Sequence, residues 1–176
     1  MEQSRVKLNF HQESEAGLNQ LINTKLRASY TFLSVSFFFD RDDVALSNFA
    51  RFFLERSHAE QEQAERLLGY QLQRGGRVLL QTIQSPSKGD WEGGLDAMVF
   101  AVNYQKELNQ SVLELHKISG QNNDPHLCDF LEDHFLSRSV EEIKRLGDHV
   151  TSLRKLTSCE QQGMMGEYLF DKHTLS

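Results

Sequence analysis

The chain has 176 residues, a quarter of them charged, with a formal net charge of −6, which describes one acidic, well-solvated domain long enough to bury a core. No basic stretch forms a nucleic-acid footprint, no apolar run reaches the roughly 18 residues of a membrane span, and Cys128 and Cys159 form neither a disulfide framework nor a zinc motif. Nucleic acid and membrane are therefore excluded as partners, and Met1–Phe10, which has no signal-like apolar run, points to a reducing, cytoplasmic setting.

Both prolines, Pro86 and Pro125, fall in connections, and the rest of the chain carries long stretches with the apolar period of a helix. This pattern predicts one domain over 1–176 with helices at about 11–39, 44–73, 92–121, 125–156 and 163–173. On the first helix Leu18, Ile22, Lys25, Ser29 and Phe32 share one face. Asp42 and Asp43 are the expected caps of the second, whose inward face carries Glu60 and Gln63 with Phe49, Phe53 and Leu67. Gly75-Gly76 ends it. The following stretch, with Ser85, Pro86, Ser87 and Gly89, holds no helix and is long enough to let the second and third helices run parallel. Asp90 is the expected cap of the third helix, where Gln105 lies with Val102 and Val112. Asp124-Pro125 pairs a capping carboxylate with a first-turn proline for the fourth, where Ser139 lies with Phe135, Leu146, Val150 and Leu153. The expected fold is all-α: a four-helix bundle with one long crossover and a short fifth helix.

Each long helix therefore turns a polar residue inward near its middle. Carboxylate-bridged metal bundles take a Glu from two helices and Glu-x-x-His from the other two, whereas this chain reads Glu60-Gln-Glu-Gln63. Lys25, Gln63, Gln105 and Ser139 supply no anionic ligand for hard cations. The expectation is a buried Lys25–Glu60 ion pair whose leftover hydrogen bonds are satisfied by Gln63, Gln105 and Ser139. The alternative is a weaker altered site in which Glu142 helps Glu60 hold one metal. Glu55, His58, Glu62 and Glu65 form a mostly acidic stripe on the opposite face of the second helix, a solvated surface unless enclosed. His116, Cys128, Asp129 and Glu132 gather near the third-to-fourth helix corner; capping explains the acids there, and three chains meeting would line a cation passage with them.

Phe39-Asp-Arg-Asp-Asp-Val-Ala-Leu46, Arg74-Gly-Gly-Arg77, Asn109-Gln110, Asp124-Pro-His-Leu-Cys-Asp-Phe130, Leu146-Gly-Asp-His149 and Glu167-Tyr-Leu-Phe-Asp-Lys-His173 occur in the order found in vertebrate ferritin subunits, which the chain resembles over essentially its whole length. The resemblance implies a 24-subunit hollow shell that stores ferric mineral, with iron as Fe2+ in transit and Fe3+ in the mineral and no organic cofactor. It places the heavy subunit's di-iron ferroxidase positions at Lys25, Phe32, Glu60, Gln63, Gln105 and Ser139, of which only Glu60 keeps the family residue. That pattern is similar to the light-type, non-catalytic subunit, working as a homo-oligomer or beside heavy-type partners. The resemblance further implies mineral nucleation on Glu55, His58, Glu62 and Glu65, with His58 and Ala59 standing where light chains usually carry acids. It implies a threefold channel at His116, Cys128, Asp129 and Glu132, and a fourfold channel at Met165, Leu169 and His173. A slow ferroxidase using Glu60 with Glu142 or the inner-surface carboxylates is the alternative function.

Overall fold

Helices form in this computed structural model wherever apolar residues recur at three- and four-residue spacing, and the way each one starts explains how the bundle closes. The structure describes residues 4–159 and 161–176; the first three positions of the N-terminal stretch read above, and position 160, lie outside them. α1 (Gln12–Phe39) begins at His11, whose Nδ1 accepts from the Glu13 N–H at 3.2 Å. It buries Leu18, Leu21, Ile22, Ala28, Phe32, Val35 and Phe39 along one stripe, together with Lys25.

α2 (Ser47–Gln73) starts three residues later than the expected 44, and neither Asp42 nor Asp43 caps it. Asp43 is held instead by Arg41, whose Nε donates to Oδ1 at 2.9 Å, and Ala45 takes a left-handed φ of 51°, which no helix can propagate through. The cap comes from the far end of the chain: Asp171 Oδ1 accepts from the N–H groups of Asn48 and Phe49 at 2.9 and 2.8 Å. α3 (Gly94–Gln121) likewise starts beyond the expected 92, because Asp90 lies beside Arg41 at 3.4 Å and Glu167 Oε2 accepts from the Gly94 N–H at 2.8 Å. A Cβ at position 94 would come within 2.3 Å of the Phe49 ring, so glycine lets α3 begin against α2.

Asp124 caps α4 (Pro125–Leu131), accepting from the Leu127 N–H at 3.1 Å. The uninterrupted helix expected over 125–156 is instead three segments: α4, a π-helical turn (Glu132–Leu136) and α5 (Ser137–Thr157). Leu131, Glu132 and Ser137 keep right-handed helical angles, so the helical run is not interrupted by a loop there. Within it, the Ser137 hydroxyl donates to the Glu132 carbonyl at 3.0 Å, competing with the regular ladder. A short α6 (Gly163–His173) folds back and buries Phe170 against Phe49 and His149.

The expected all-α bundle with a short fifth helix is the fold, with no strand among the described residues. Arg74 at the end of α2 reaches Asp124, beyond the end of α3, at 3.0 Å, while Phe49 near the start of α2 meets Gly94 at the start of α3. α2 and α3 therefore run parallel. The crossover after Gly75, whose φ is 82°, travels along α1 and is pinned by Asn19, which donates to the Arg77 carbonyl at 3.0 Å and accepts from the Leu79 N–H at 3.1 Å.

The core divides into two apolar clusters. One holds Phe32, Phe39, Phe49, Phe53, Ala101, Leu146 and Phe170; the other holds Leu18, Ile22, Leu67, Val112, Leu131 and Phe135. On each long rod the polar residue lies between members of the two: Lys25 between Ile22 and Phe32, Glu60 between Phe53 and Leu67, Gln105 between Ala101 and Val112, Ser139 between Phe135 and Leu146.

Candidate functional site

At this polar layer the Lys25 Nζ donates to Glu60 Oε2 at 2.9 Å, and the two side chains are only 3% and 7% exposed. The ammonium also lies 5.9 Å from the centre of the Phe135 ring, which adds a favourable cation–π contact in a poorly hydrated setting. One turn away α1 and α2 are joined by a hydroxyl pair: Ser57 Oγ donates to the Ser29 carbonyl at 2.7 Å and lies 3.1 Å from Ser29 Oγ. Ser57 was readable as the residue one turn before Glu60 on the same face, but a small polar side chain gives little signal on its own.

Beside the ion pair is a cavity of about 280 Å³ whose buried floor includes Lys25, Glu60, Gln105 and Ser139 and whose exposed rim includes Arg138, Glu141 and Arg145. The neutral residues do not complete the Lys25–Glu60 pair as expected: Gln63 Oε1 and Ser139 Oγ are buried without a protein partner and line this cavity instead. Nor does Glu142 join Glu60. Its Oε1 is 2.5 Å from Arg56 Nη1 and its Oε2 3.5 Å from Arg145 Nε, because two guanidiniums are nearer than any shared cation site. Arg56, Asn109 and Arg138 are lining residues that sequence reasoning missed; Arg56 lies one turn from Glu60 and was legible as such. Phe32 is 1% exposed and packs 5.7 Å from Tyr104. Burial pushes the Tyr104 phenol above its ordinary range.

The remaining candidates lie on surfaces. Glu55, His58, Glu62 and Glu65 are exposed along α2, with Gln61 Nε2 donating to Glu65 Oε1 at 3.2 Å. At the α3–α4 corner His116 Nε2 and Glu132 Oε1 approach to 2.7 Å, and the Cys128 thiol reaches Ser119 Oγ at 3.3 Å. Cys128, Asp129 and Glu132 line one open depression there. Met165, Leu169 and His173 are exposed at four-residue intervals on α6.

A model of the ferritin family, described as a ferritin-like domain, matches residues 15–156. The chain belongs to the ferritin family. The match takes in α2, α3 and α4 whole, nearly all of α1 and α5, and every residue of the polar layer. Ferritin membership gives the chain a general role in iron storage. A di-iron centre of the kind implied for a catalytic ferritin subunit does not fit the residues present. Lys25 places a cation where an anionic ligand is needed, and among the described residues no three His, Cys, Asp or Glu side chains gather closely enough to hold a metal ion. No helix among the described residues of this ferritin is long and apolar enough to cross a membrane.

Proposed function

We propose that this chain is a non-catalytic, light-type ferritin subunit that builds a 24-subunit cytoplasmic shell, alone or with heavy-type partners, and stores iron without oxidising it at its own bundle centre. The observation that carries this is the buried ion pair, Lys25 Nζ to Glu60 Oε2 at 2.9 Å. Glu60 is the one acidic side chain kept at the ferroxidase positions, and an ammonium already occupies its oxygen. A second metal-binding carboxylate is wanting as well, since Glu142 is engaged by Arg56 and Arg145.

Iron(II) is the cargo. In the proposed shell it enters past His116, Cys128, Asp129 and Glu132, whose carboxylates, repeated around a threefold axis, attract divalent cations. Met165, Leu169 and His173 line the fourfold openings. Glu55, Glu62 and Glu65, with His58, offer the inner-surface carboxylates on which ferric mineral grows.

The test is anaerobic loading of the pure protein with iron(II) followed by oxygen. No fast diferric-peroxo absorbance is expected; a burst saturating at two irons per chain would overturn the reading. Glu60→Ala separates the alternative: if oxidation collapses while the assembly survives, the chain is a slow ferroxidase.

A further inference from the structure

The cavity beside the ion pair holds more unmet hydrogen-bonding capacity than that pair can use. Arg56 spends Nη1 on Glu142 and leaves Nε buried without a protein partner, and Ser139 Oγ, on a residue 7% exposed, has none either. Arg138 at the rim makes no ion pair or side-chain hydrogen bond among the described residues. In the same lining Gln63 Oε1 and Asn109 Oδ1 are buried acceptors with no protein group donating to them, and Glu142 Oε1, 2.5 Å from Arg56 Nη1, is held by that charge contact without a well-aligned hydrogen bond. A buried polar group left unsatisfied costs about 1–3 kcal/mol, so these atoms favour a polar occupant of the cavity. Its volume of about 280 Å³ exceeds several times the ~30 Å³ share of one water molecule.

The charges say which guest. Lys25, Arg56, Arg138 and Arg145 face Glu60, Glu141 and Glu142. Glu60 is neutralised by Lys25 and Glu142 is shared by Arg56 and Arg145, which leaves Arg138 and Glu141 to offset each other at the exposed rim and one positive charge in excess around the cavity. A metal cation would meet the guanidiniums, whereas an anion would meet the free Arg56 Nε and Arg138. The two unpartnered amide oxygens add a condition, because they need a donor that chloride and sulfate lack.

We propose that this cavity binds one small tetrahedral oxyanion that still carries a proton, inorganic phosphate at neutral pH. Its unprotonated oxygens accept from Arg56 Nε, Arg138 and Ser139 Oγ, and its hydroxyl donates to Gln63 or Asn109. The site rests on the non-catalytic reading of the bundle centre, since a metal pair would need the same space.

Calorimetric titration of the iron-free, assembled protein with phosphate tests it, with sulfate and chloride at matched ionic strength as controls. Saturable binding near one phosphate per chain is expected, with sulfate much weaker. Arg138→Gln and Ser139→Ala should each weaken phosphate by about tenfold, the size of one lost charge-assisted or buried hydrogen bond. Arg138 is exposed, so its variant keeps the fold, which circular dichroism checks. Absence of saturable heat, equal binding of sulfate, or unchanged affinity in both variants would overturn the site. An iron(II)-oxidation burst on the same preparation would instead overturn the non-catalytic reading, so the two failures are distinguishable.

Discussion

Replacing Lys25 with methionine tests the physics of the bundle centre most directly. Methionine matches the length and flexibility of lysine, so the apolar contacts survive while the charge is lost and Glu60, whose side chain is 7% exposed, keeps a buried carboxylate without its cation. Breaking a buried pair costs about 3–5 kcal/mol. The adjoining cavity, about 280 Å³, can bring water to the stranded carboxylate, so the lower end, about 3 kcal/mol, is expected here. In a chain of this length that corresponds to a melting temperature lower by roughly 6–12 °C. Glu60→Leu should cost a similar amount, because it strands the ammonium. The double variant Lys25→Met with Glu60→Leu should lie within about 1 kcal/mol of the parent or be more stable, since well-packed apolar replacements of buried pairs are often neutral or better. Guanidinium unfolding followed by far-ultraviolet circular dichroism gives all four corners of the cycle. Single variants that each cost under about 1 kcal/mol, with no coupling, would refute the account, because the charges would then be hydrated rather than dependent on each other.

Restoring ligands should restore metal: Lys25→Glu with Gln63→His and Gln105→Glu places hard ligands around Glu60, and calorimetry should detect a new divalent-metal site; no gain in binding would mean that these positions do not converge. Asp171→Ala removes the oxygen that caps α2 from α6, and a loss of about 1–2 kcal/mol is expected in chemical unfolding, with Asp171→Asn recovering part of it. Stability should also fall with acid in two separable windows. His149, half-buried between Phe52 and Phe170, has its pKa lowered by burial and then by Arg145, against the opposing pull of Glu142 and Asp148. Its folded-state pKa therefore lies below its unfolded value, so its contribution is present above about pH 6.5 and is lost as pH drops below that toward the folded value. Asp96 and Glu15 act lower: burial raises each carboxylate, but it is outweighed by the sum of hydrogen bonds from Lys88 and the Glu92 N–H to Asp96, from Lys7 and the Arg77 N–H to Glu15, and the attraction of the nearby cations, so their contributions disappear only near and below about pH 4. Melting temperature against pH should show the upper step vanish in His149→Phe while the lower one stays.

The inward positions of Lys25, Glu60, Gln105 and Ser139 were legible in the sequence because burial on a helix follows from a local period. The starts of α2 and α3 were not. Asp43 and Asp90 look like caps to any local rule, yet both lie beside Arg41, and the carboxylates that do the capping are Asp171 and Glu167, over 70 residues away in the chain. The π turn was missed for a related reason: one added residue in a helical turn barely disturbs an apolar pattern that continues on both sides. The cavity was missed because it exists only where side chains from α1, α2, α3 and α5 stop short of one another. Spacing alone picked out the acidic face of α2 and the α3–α4 corner, but only the resemblance attached roles to them, and the roles proposed for Glu55, Glu62, Asp129 and Glu132 depend on neighbours that a single chain does not carry.

The division of the core explains how a metal-bundle fold tolerates a changed centre. Phe39, Phe49, Phe53 and Phe170 pack on one side of the polar layer and Leu18, Ile22, Leu67 and Phe135 on the other, and neither cluster needs Glu60 or its neighbours to stay dry. At one end of the bundle α6 supplies the acceptors for the first turns of both α2 and α3, and at the other Arg74 ties the end of α2 to Asp124. The rods are thus fixed at their ends and glued on either side of the middle. What the middle must do is avoid stranded charge, and an ammonium–carboxylate pair satisfies that condition without any metal. Substitution at those positions should therefore change the chemistry of the centre first and the architecture little.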